Sequence, residues 1–300
     1  MQNNVLNMHT DGLLRVSLMG GQARAFLVES TQMVEKARQI HNLSRTATAA
    51  LGRTLLGSSM MASLMSEPNA KFTMCFKGDG PLGTILCSAD YFGNVKGYIE
   101  NPSVDLPLRA DNKLNVGGGV GRGIMQVIRD TGGKEPYIGL SNIVTGEIAE
   151  DIAAYYVNSE QIPTLCALGV LVDVDYSIKA AGGIIVQLLP FADESLTEKL
   201  EKNAMKARTV VDLLCDGGIE ALIGEFLDGI EYDVFDCTEV GYVCDCSRER
   251  CEKVLLSLGE EDYNEILKEP ETEINCQFCD KKYVFTAEEL KTLRDNAKRG

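Results

Sequence analysis

Apolar and polar positions follow two different rhythms along this chain. Leu13 to Leu18 and Ala23 to Val28 are mostly aliphatic runs flanking Gly20-Gly21, which predicts a hairpin. Phe72 to Phe76, Thr84 to Ala89 and Val95 to Ile99 predict further strands, separated by Gly-Asp-Gly-Pro and Gly-Asn turns, and so an antiparallel meander. Between the two groups the period shifts to 3.6. Met33, Ala37 and Ile40, then Ala47, Leu51, Leu55 and Met61 after a break at Asn42 to Ser44, predict helices from Thr31 to about Ser66. A further helix is expected after Gly146, with Ile148, Ile152, Tyr155 and Tyr156 on one side, and strands return over Thr164 to Val174 and Ile184 to Leu189. Strands interspersed with helices, without regular βαβ alternation, predict an α+β fold with an antiparallel-sheet core domain over residues 1–190.

The pattern changes after Pro190. Ser195 with Glu198 fits a capping box, followed at helical spacing by Leu196, Leu200, Ala207, Val211 and Leu214; Asp216-Gly217-Gly218 then stops the helix. A second amphipathic stretch places Ile219, Leu222, Ile223, Phe226 and Leu227 on one face and ends at Asp228-Gly229. Residues 191–236 therefore read as a helical linker that is stable only when docked. Pattern alone gives equal weight to two ordinary surface helices of the main domain.

Charge sharpens this division. The 300 residues carry 29 Lys and Arg against 44 Asp and Glu, a net charge of −15. Residues 1–190 hold 15 basic and 17 acidic groups, and residues 191–300 hold 14 and 27, so the acid excess lies almost wholly in the second part. No Lys or Arg occurs from Thr209 to Ser247. Such acidity argues against a nucleic-acid partner, which needs a basic surface to meet phosphates. The first twelve residues show neither the basic nor the apolar region of a secretory signal, and the apolar stretch Thr54 to Ser66 is shorter than the roughly 20 residues that span a bilayer. A cytoplasmic location with no membrane partner is expected.

In that compartment ten cysteines point to metal or redox chemistry rather than a disulfide framework. Cys244-x-Cys246 and Cys276-x-x-Cys279 form two close pairs joined by an intervening stretch, the arrangement a tetrahedral zinc site needs. The Cys-x-x-Cys pair alone also fits a thioredoxin-like redox motif, but that motif opens a helix, and here the strand-like Tyr283-Val284-Phe285 follows. Ser247 is expected to cap a helix whose inner face is Cys251, Val254, Leu255 and Leu258, so Cys251 is read as packing rather than coordinating; Thr286 with Glu289 is expected to cap a last helix bearing Leu290 and Leu293. Residues 237–300 thus read as a small zinc-binding C-terminal domain that unfolds without its metal. Arg248, Arg250, Lys281 and Lys282 beside the cysteines are expected to offset thiolate charge. Cys75, Cys87, Cys166 and Cys215 are read as packed thiols, with Cys237 unassigned.

The run Cys244-Asp-Cys246-Ser-Arg-Glu-Arg-Cys251 with Cys276-Gln-Phe-Cys279 resembles the zinc-binding end of the 33-kDa heat-shock chaperone family, heat-shock protein 33. Gly146-Glu-Ile-Ala-Glu-Asp-Ile, Ser159-Glu-Gln-Ile-Pro-Thr and Ala180-Ala-Gly-Gly-Ile-Ile-Val-Gln-Leu-Leu-Pro190 resemble its core in the same order. The resemblance implies a redox-regulated holdase, not an enzyme, with no use of ATP. When reduced, one Zn2+ on Cys244, Cys246, Cys276 and Cys279 keeps the tail folded and the protein inactive. On oxidation, the same four residues form Cys244–Cys246 and Cys276–Cys279 disulfides, zinc leaves, tail and linker unfold, and unfolding client proteins are bound, with homodimerisation in the oxidised state.

Other signals are weaker. Val116-Gly-Gly-Gly-Val-Gly-Arg-Gly123 fits neither dinucleotide nor P-loop spacing and reads as a flexible turn between strands. The only histidines are His9 and His41, and no zinc-protease or serine-hydrolase motif is present. Met60, Met61 and Met65 are read as core. A disulfide oxidoreductase using Cys276 and Cys279, or a zinc-ribbon adaptor, are the competing classes.

Overall fold

All laddered strands pair antiparallel, in keeping with the α+β expectation. The computed structural model describes residues 11–133 and 135–297, and the chain divides into two compact units, one running to Val243 and the other starting at Cys244. The first unit contains β1 (Gly12–Leu18), β2 (Ala23–Glu29), β3 (Lys71–Gly78), β4 (Thr84–Asp90), β5 (Val95–Ile99), β6 (Gly123–Asp130), β7 (Tyr137–Asn142), β8 (Thr164–Val172), β9 (Ile178–Leu188) and β10 (Tyr232–Glu239). They form two five-stranded sheets, ordered β10-β1-β2-β9-β8 and β5-β4-β3-β6-β7.

The helices α1 (Thr31–His41) and α2 (Arg45–Ala62) follow the predicted periodicity. Asn42 adopts a left-handed conformation at the break, and the Ser44 hydroxyl accepts from the Ala47 amide to start α2. Apart from Arg45 and Arg53, every residue of α2 is buried, and it packs on strands of both sheets. Two of its buried hydroxyls are satisfied by carbonyls: Thr54 donates to Ala50 O at 2.8 Å and Ser59 to Gly93 O at 2.7 Å. Met60 and Met61 are in the core, as read, and Met65 packs at its edge.

Two readings of the first unit need correction. The glycine-rich run is not a flexible turn: α3 (Val116–Val120) is a short helix capped by Asn115, and its Gly119 and Val120 carbonyls accept from Leu82 and Gly80. A Cβ on Gly78 would lie 1.9 Å from the Val120 carbonyl oxygen, so the glycines serve close backbone approach. The strands expected from the sequence do not include β6 or β7; β7 is an edge strand with Tyr137, Ile138 and Leu140 exposed. The expected helix after Gly146 is α4 (Ala149–Tyr155), continued by a π-helical turn over Tyr156–Glu160.

Residues after Pro190 dock within this unit. Helix α5 (Glu194–Lys206) has its N-cap at Asp193, two residues before Ser195, and the Asp193 amide and carboxylate are both held by the Gln22 side chain instead of a capping box. Helix α6 (Val210–Phe226) is broken at Gly217-Gly218, as Asp216-Gly217-Gly218 suggested. Gly218 sits at φ 62°, and Glu29 Oε2 accepts from the Ile219 amide at 3.0 Å, restarting the helix on the sheet. Ile219, Leu222, Ile223, Phe226 and Leu227 are all buried against Leu14, Val16, Leu18, Leu27 and Ile184 on one face of the first sheet. The chain then returns as β10, an edge strand beside β1. Residues 237–243 therefore lie in the first unit, and the division falls later than the 236/237 boundary expected for the cysteine-bearing domain. Acidic strands are invisible to a charge count; their pairing is a tertiary fact.

Candidate metal centre

The second unit is small. It contains α7 (Arg248–Leu256), α8 (Glu260–Ile266), the hairpin β11 (Glu271–Asn275) and β12 (Lys282–Thr286), and α9 (Ala287–Ala297). Its core is Cys251, Leu255, Tyr263, Tyr283, Phe285 and Leu290. As read, Cys251 packs; Val254 and Leu258, assigned to the same inner face, are instead 60% and 38% exposed. The hairpin and α8 take the packing surface that α7 alone was expected to fill.

Local structure positions each cysteine pair. The hairpin register ends at Asn275 opposite Lys282, and the turn between them closes through Cys276 N to Lys281 O at 3.0 Å and Asp280 N to Cys276 O at 2.9 Å. Asp280 takes a left-handed conformation there, at φ 56°. Cys276 and Cys279 thus belong to a hairpin tip and not to the start of a helix, which is where the oxidoreductase reading would place them. On the other side, Ser247 caps α7 by accepting from the Arg250 amide, and the Arg250 guanidinium reaches back to the Asp245 carbonyl oxygen at 3.1 Å and carboxylate at 2.6 Å. This clamps the residue between Cys244 and Cys246.

The four Sγ atoms lie within 4.8 Å of one another, with Cys244 to Cys276 at 3.6 Å and Cys246 to Cys279 at 3.4 Å, and none is in a disulfide. Tetrahedral coordination at about 2.3 Å per Zn–S bond spaces the sulfurs by roughly 3.8 Å. Four soft donors at this spacing fit a metal that prefers thiolate. Cys251 is outside the set, as expected. Burial pushes the Cys246 thiol up, but the Tyr283 hydroxyl and the neighbouring thiols outweigh it and hold it at about 7. Burial pushes Cys244 and Cys279 the other way, upward.

Tyr283 was read only as strand. Its hydroxyl donates to Cys246 Sγ at 3.2 Å, while its ring is buried in the core. The signal was the alternation through β12, which puts Tyr283 inside, opposite Ile274 and so two residues from Cys276. Tyr283→Phe keeps the ring and loses this bond, and is expected to weaken metal binding about tenfold, read by competition with a chromogenic chelator.

The neighbouring cations do not act as expected on the thiolates. Arg248 stacks 4.1 Å above the Phe285 ring and pairs with Glu289 at 2.7 Å, Arg250 pairs with Asp245, and Lys282 pairs with Glu273 at 2.9 Å. Lys281 lies over the Tyr283 ring, 5.1 Å from its centre. They hold the scaffold around the sulfurs. Elsewhere, Cys75 and Cys87 are buried and Cys166 and Cys237 half-buried, whereas Cys215 is exposed, against its reading as a packed thiol. His41 ends α1 near Tyr242; His9 lies outside the described residues. No helix among the described residues is long and apolar enough to cross a membrane.

Comparison with known proteins agrees with this architecture. The sequence profile of the family described as Hsp33 protein matches residues 11–286. The chain is 43% identical to a 33 kDa chaperonin of Clostridioides difficile strain 630 over 283 residues, covering 93% of this chain and 97% of that protein. It is also 43% identical to a 33 kDa chaperonin of Agathobacter rectalis over 288 residues, covering 95% and 100%. A crystal structure of the 33 kDa chaperonin (heat shock protein 33 homologue) of Thermotoga maritima superposes with a TM-score of 0.89 at 33% identity, covering 97% of this chain and 100% of that one.

Proposed function

The chain belongs to the Hsp33 family and so has a chaperone role, and from that premise we propose that it is a redox-regulated cytoplasmic holdase, inactive when reduced and switched on by oxidation of its four-cysteine cluster. The observation that carries this reading is the convergence of Cys244, Cys246, Cys276 and Cys279 within 4.8 Å. These four side chains would hold one zinc ion. When bound, zinc supplies an apparent binding free energy of about 10–16 kcal/mol to the folding of the surrounding unit. Six buried side chains are a small core for that unit, so its fold depends on the thiolates remaining ligands.

Peroxide removes them as ligands. Formation of each disulfide from two thiolates, Cys244–Cys246 and Cys276–Cys279, gives up two electrons to one peroxide, which takes two protons from solvent and leaves as two waters. The unit from Cys244 onward then loses its staple. Cys244 follows β10 closely in the chain, and β10 is an edge strand, so it can peel without opening the interior of its sheet. Beyond it, α5 and α6 cover Leu14, Val16, Leu18, Leu27 and Ile184. Releasing these helices uncovers apolar surface on both partners, suited to unfolding clients, with no step that needs ATP. An oxidised homodimer would extend that surface.

The deciding experiment follows zinc content and suppression of client aggregation in the same sample, before and after peroxide at elevated temperature. Zinc loss and holdase activity are expected to rise together. Holdase activity with zinc still bound, or zinc loss with no activity, would overturn the switch.

A further inference from the structure

Outside the metal centre, the first unit contains a groove of about 490 Å3 between the segment after α2 and the β2-β1-β10 part of the first sheet, within the roughly 300–1,000 Å3 typical of small-molecule sites. Phe26, Leu64, Met65 and Phe235 make its walls apolar, and Phe235 is 75% exposed. Two arginines stand at its polar side. They differ in their partners.

Arg15 is engaged by Asp236, to which its Nε donates at 2.7 Å while a second nitrogen bonds the other carboxylate oxygen. Arg24 is half-buried, and its side-chain bond is to a neutral group, the Gln187 carbonyl oxygen at 3.1 Å. It makes no ion pair among the described residues. Burial lowers its pKa, the sign of a cation that has lost water without gaining a counter-charge. In register, Arg24 faces Ser17 on β1, which offers no carboxylate.

Asp236 is the only carboxylate lining the groove, and Arg15 already neutralises it. On its other side Arg24 borders a second cavity, where Glu160 is held by Arg129 and by the Tyr155 hydroxyl at 2.6 Å and Glu67 and Glu135 lie exposed. Arg24 thus makes no ion pair among the described residues where it borders the apolar channel. Charged groups removed from water are stable when paired.

We propose that this groove is a binding site for an alkyl carboxylate, with the carboxylate on Arg24 and the chain along Phe26, Leu64, Met65 and Phe235. Because Phe235 belongs to β10, an occupant also ties that edge strand to the segment after α2. Any effect on activation rests on the holdase reading above; binding does not.

The test is calorimetric titration of the reduced, zinc-loaded full chain with decanoate and with 1-decanol, both below the concentrations at which they self-associate. Saturable one-site binding of decanoate is expected, at least about tenfold tighter than decanol, because a charge-assisted hydrogen bond to a half-buried guanidinium is lost in the alcohol. Arg24→Gln should weaken decanoate about tenfold and leave decanol unchanged, Arg24→Lys should recover part of the loss, and Phe235→Ser should weaken both ligands. Equal affinity of decanoate for the native chain and for Arg24→Gln, or no saturable binding to the native chain, would overturn the site. Since no oxidation is involved, failure here leaves the redox switch standing, and failure of the switch leaves this site standing.

Discussion

Replacing Cys276 by Ser in the reduced protein is expected to unfold the chain from Cys244 onward and to loosen β10, α5 and α6, while residues up to Pro190 stay folded. Three thiolates bind zinc far less tightly than four, and the binding energy at stake, about 10–16 kcal/mol, exceeds what a six-residue core supplies by itself. The pieces now held around the sulfurs would lose their common anchor: the α7 cap at Ser247, the Arg250 clamp on Asp245 and the Tyr283 bond to Cys246. Limited trypsin digestion with mass mapping reads this directly, with cleavage appearing at Arg248, Arg250, Lys281 and Lys282 and the chain up to Pro190 surviving. Basal suppression of client aggregation under reducing conditions should rise together with it. Unchanged protease resistance from Cys244 onward would show that the unit stands without its metal and would remove the basis of the switch.

The second large effect is expected from Leu222→Asp, which acts on docking without touching a thiol. Leu222 is fully buried in the face that α6 presents to the first sheet, between Ile219, Ile223 and Phe226. Losing a buried leucine costs about 2–5 kcal/mol, and an unpaired carboxylate in its place adds a desolvation penalty of several more. Held by one apolar face, α6 should leave the sheet, and the variant should suppress aggregation while reduced, with its zinc content unchanged. Glu220→Gln, on the exposed side of the same helix, is the control. If amide exchange shows α6 released and no holdase activity appears, the surface under the linker is not where clients bind.

These two variants separate what pattern made legible from what it did not. The 3.6-residue period named all five large side chains of the second α6 segment, and each is buried, because an amphipathic helix displays its inner face in its spacing. The same reasoning failed for α7, whose Val254 and Leu258 have the right period but face outward, since a helix in so small a unit buries only the side its neighbours reach. The strands β6, β7 and β10 escaped for a related reason. Edge and half-exposed strands carry polar and acidic residues, such as Asp233 and Asp236, and their pairing depends on partners distant in sequence. The glycine run before β6 was misread as loose, because the close approach of Gly78 to Val120 is a contact between segments.

By itself, the sequence determined the α+β class, the acidic second part and the four cysteines that come together as a candidate metal site, since strand alternation, net charge and cysteine spacing are local properties of a chain. Only the tertiary structure decided where the units divide, at Val243 and not 236, and that residues 191–236 pack with the sheets as part of the first unit. It alone paired Arg248 and Arg250 with carboxylates rather than thiolates, brought the Tyr283 hydroxyl to Cys246, and left Arg24 without an ion pair among the described residues beside an apolar groove. The physical reason is the same in each case. Hydrogen bonds, ion pairs and the loss of water depend on which distant segments come within a few ångströms, and that distance is set by packing of the whole unit.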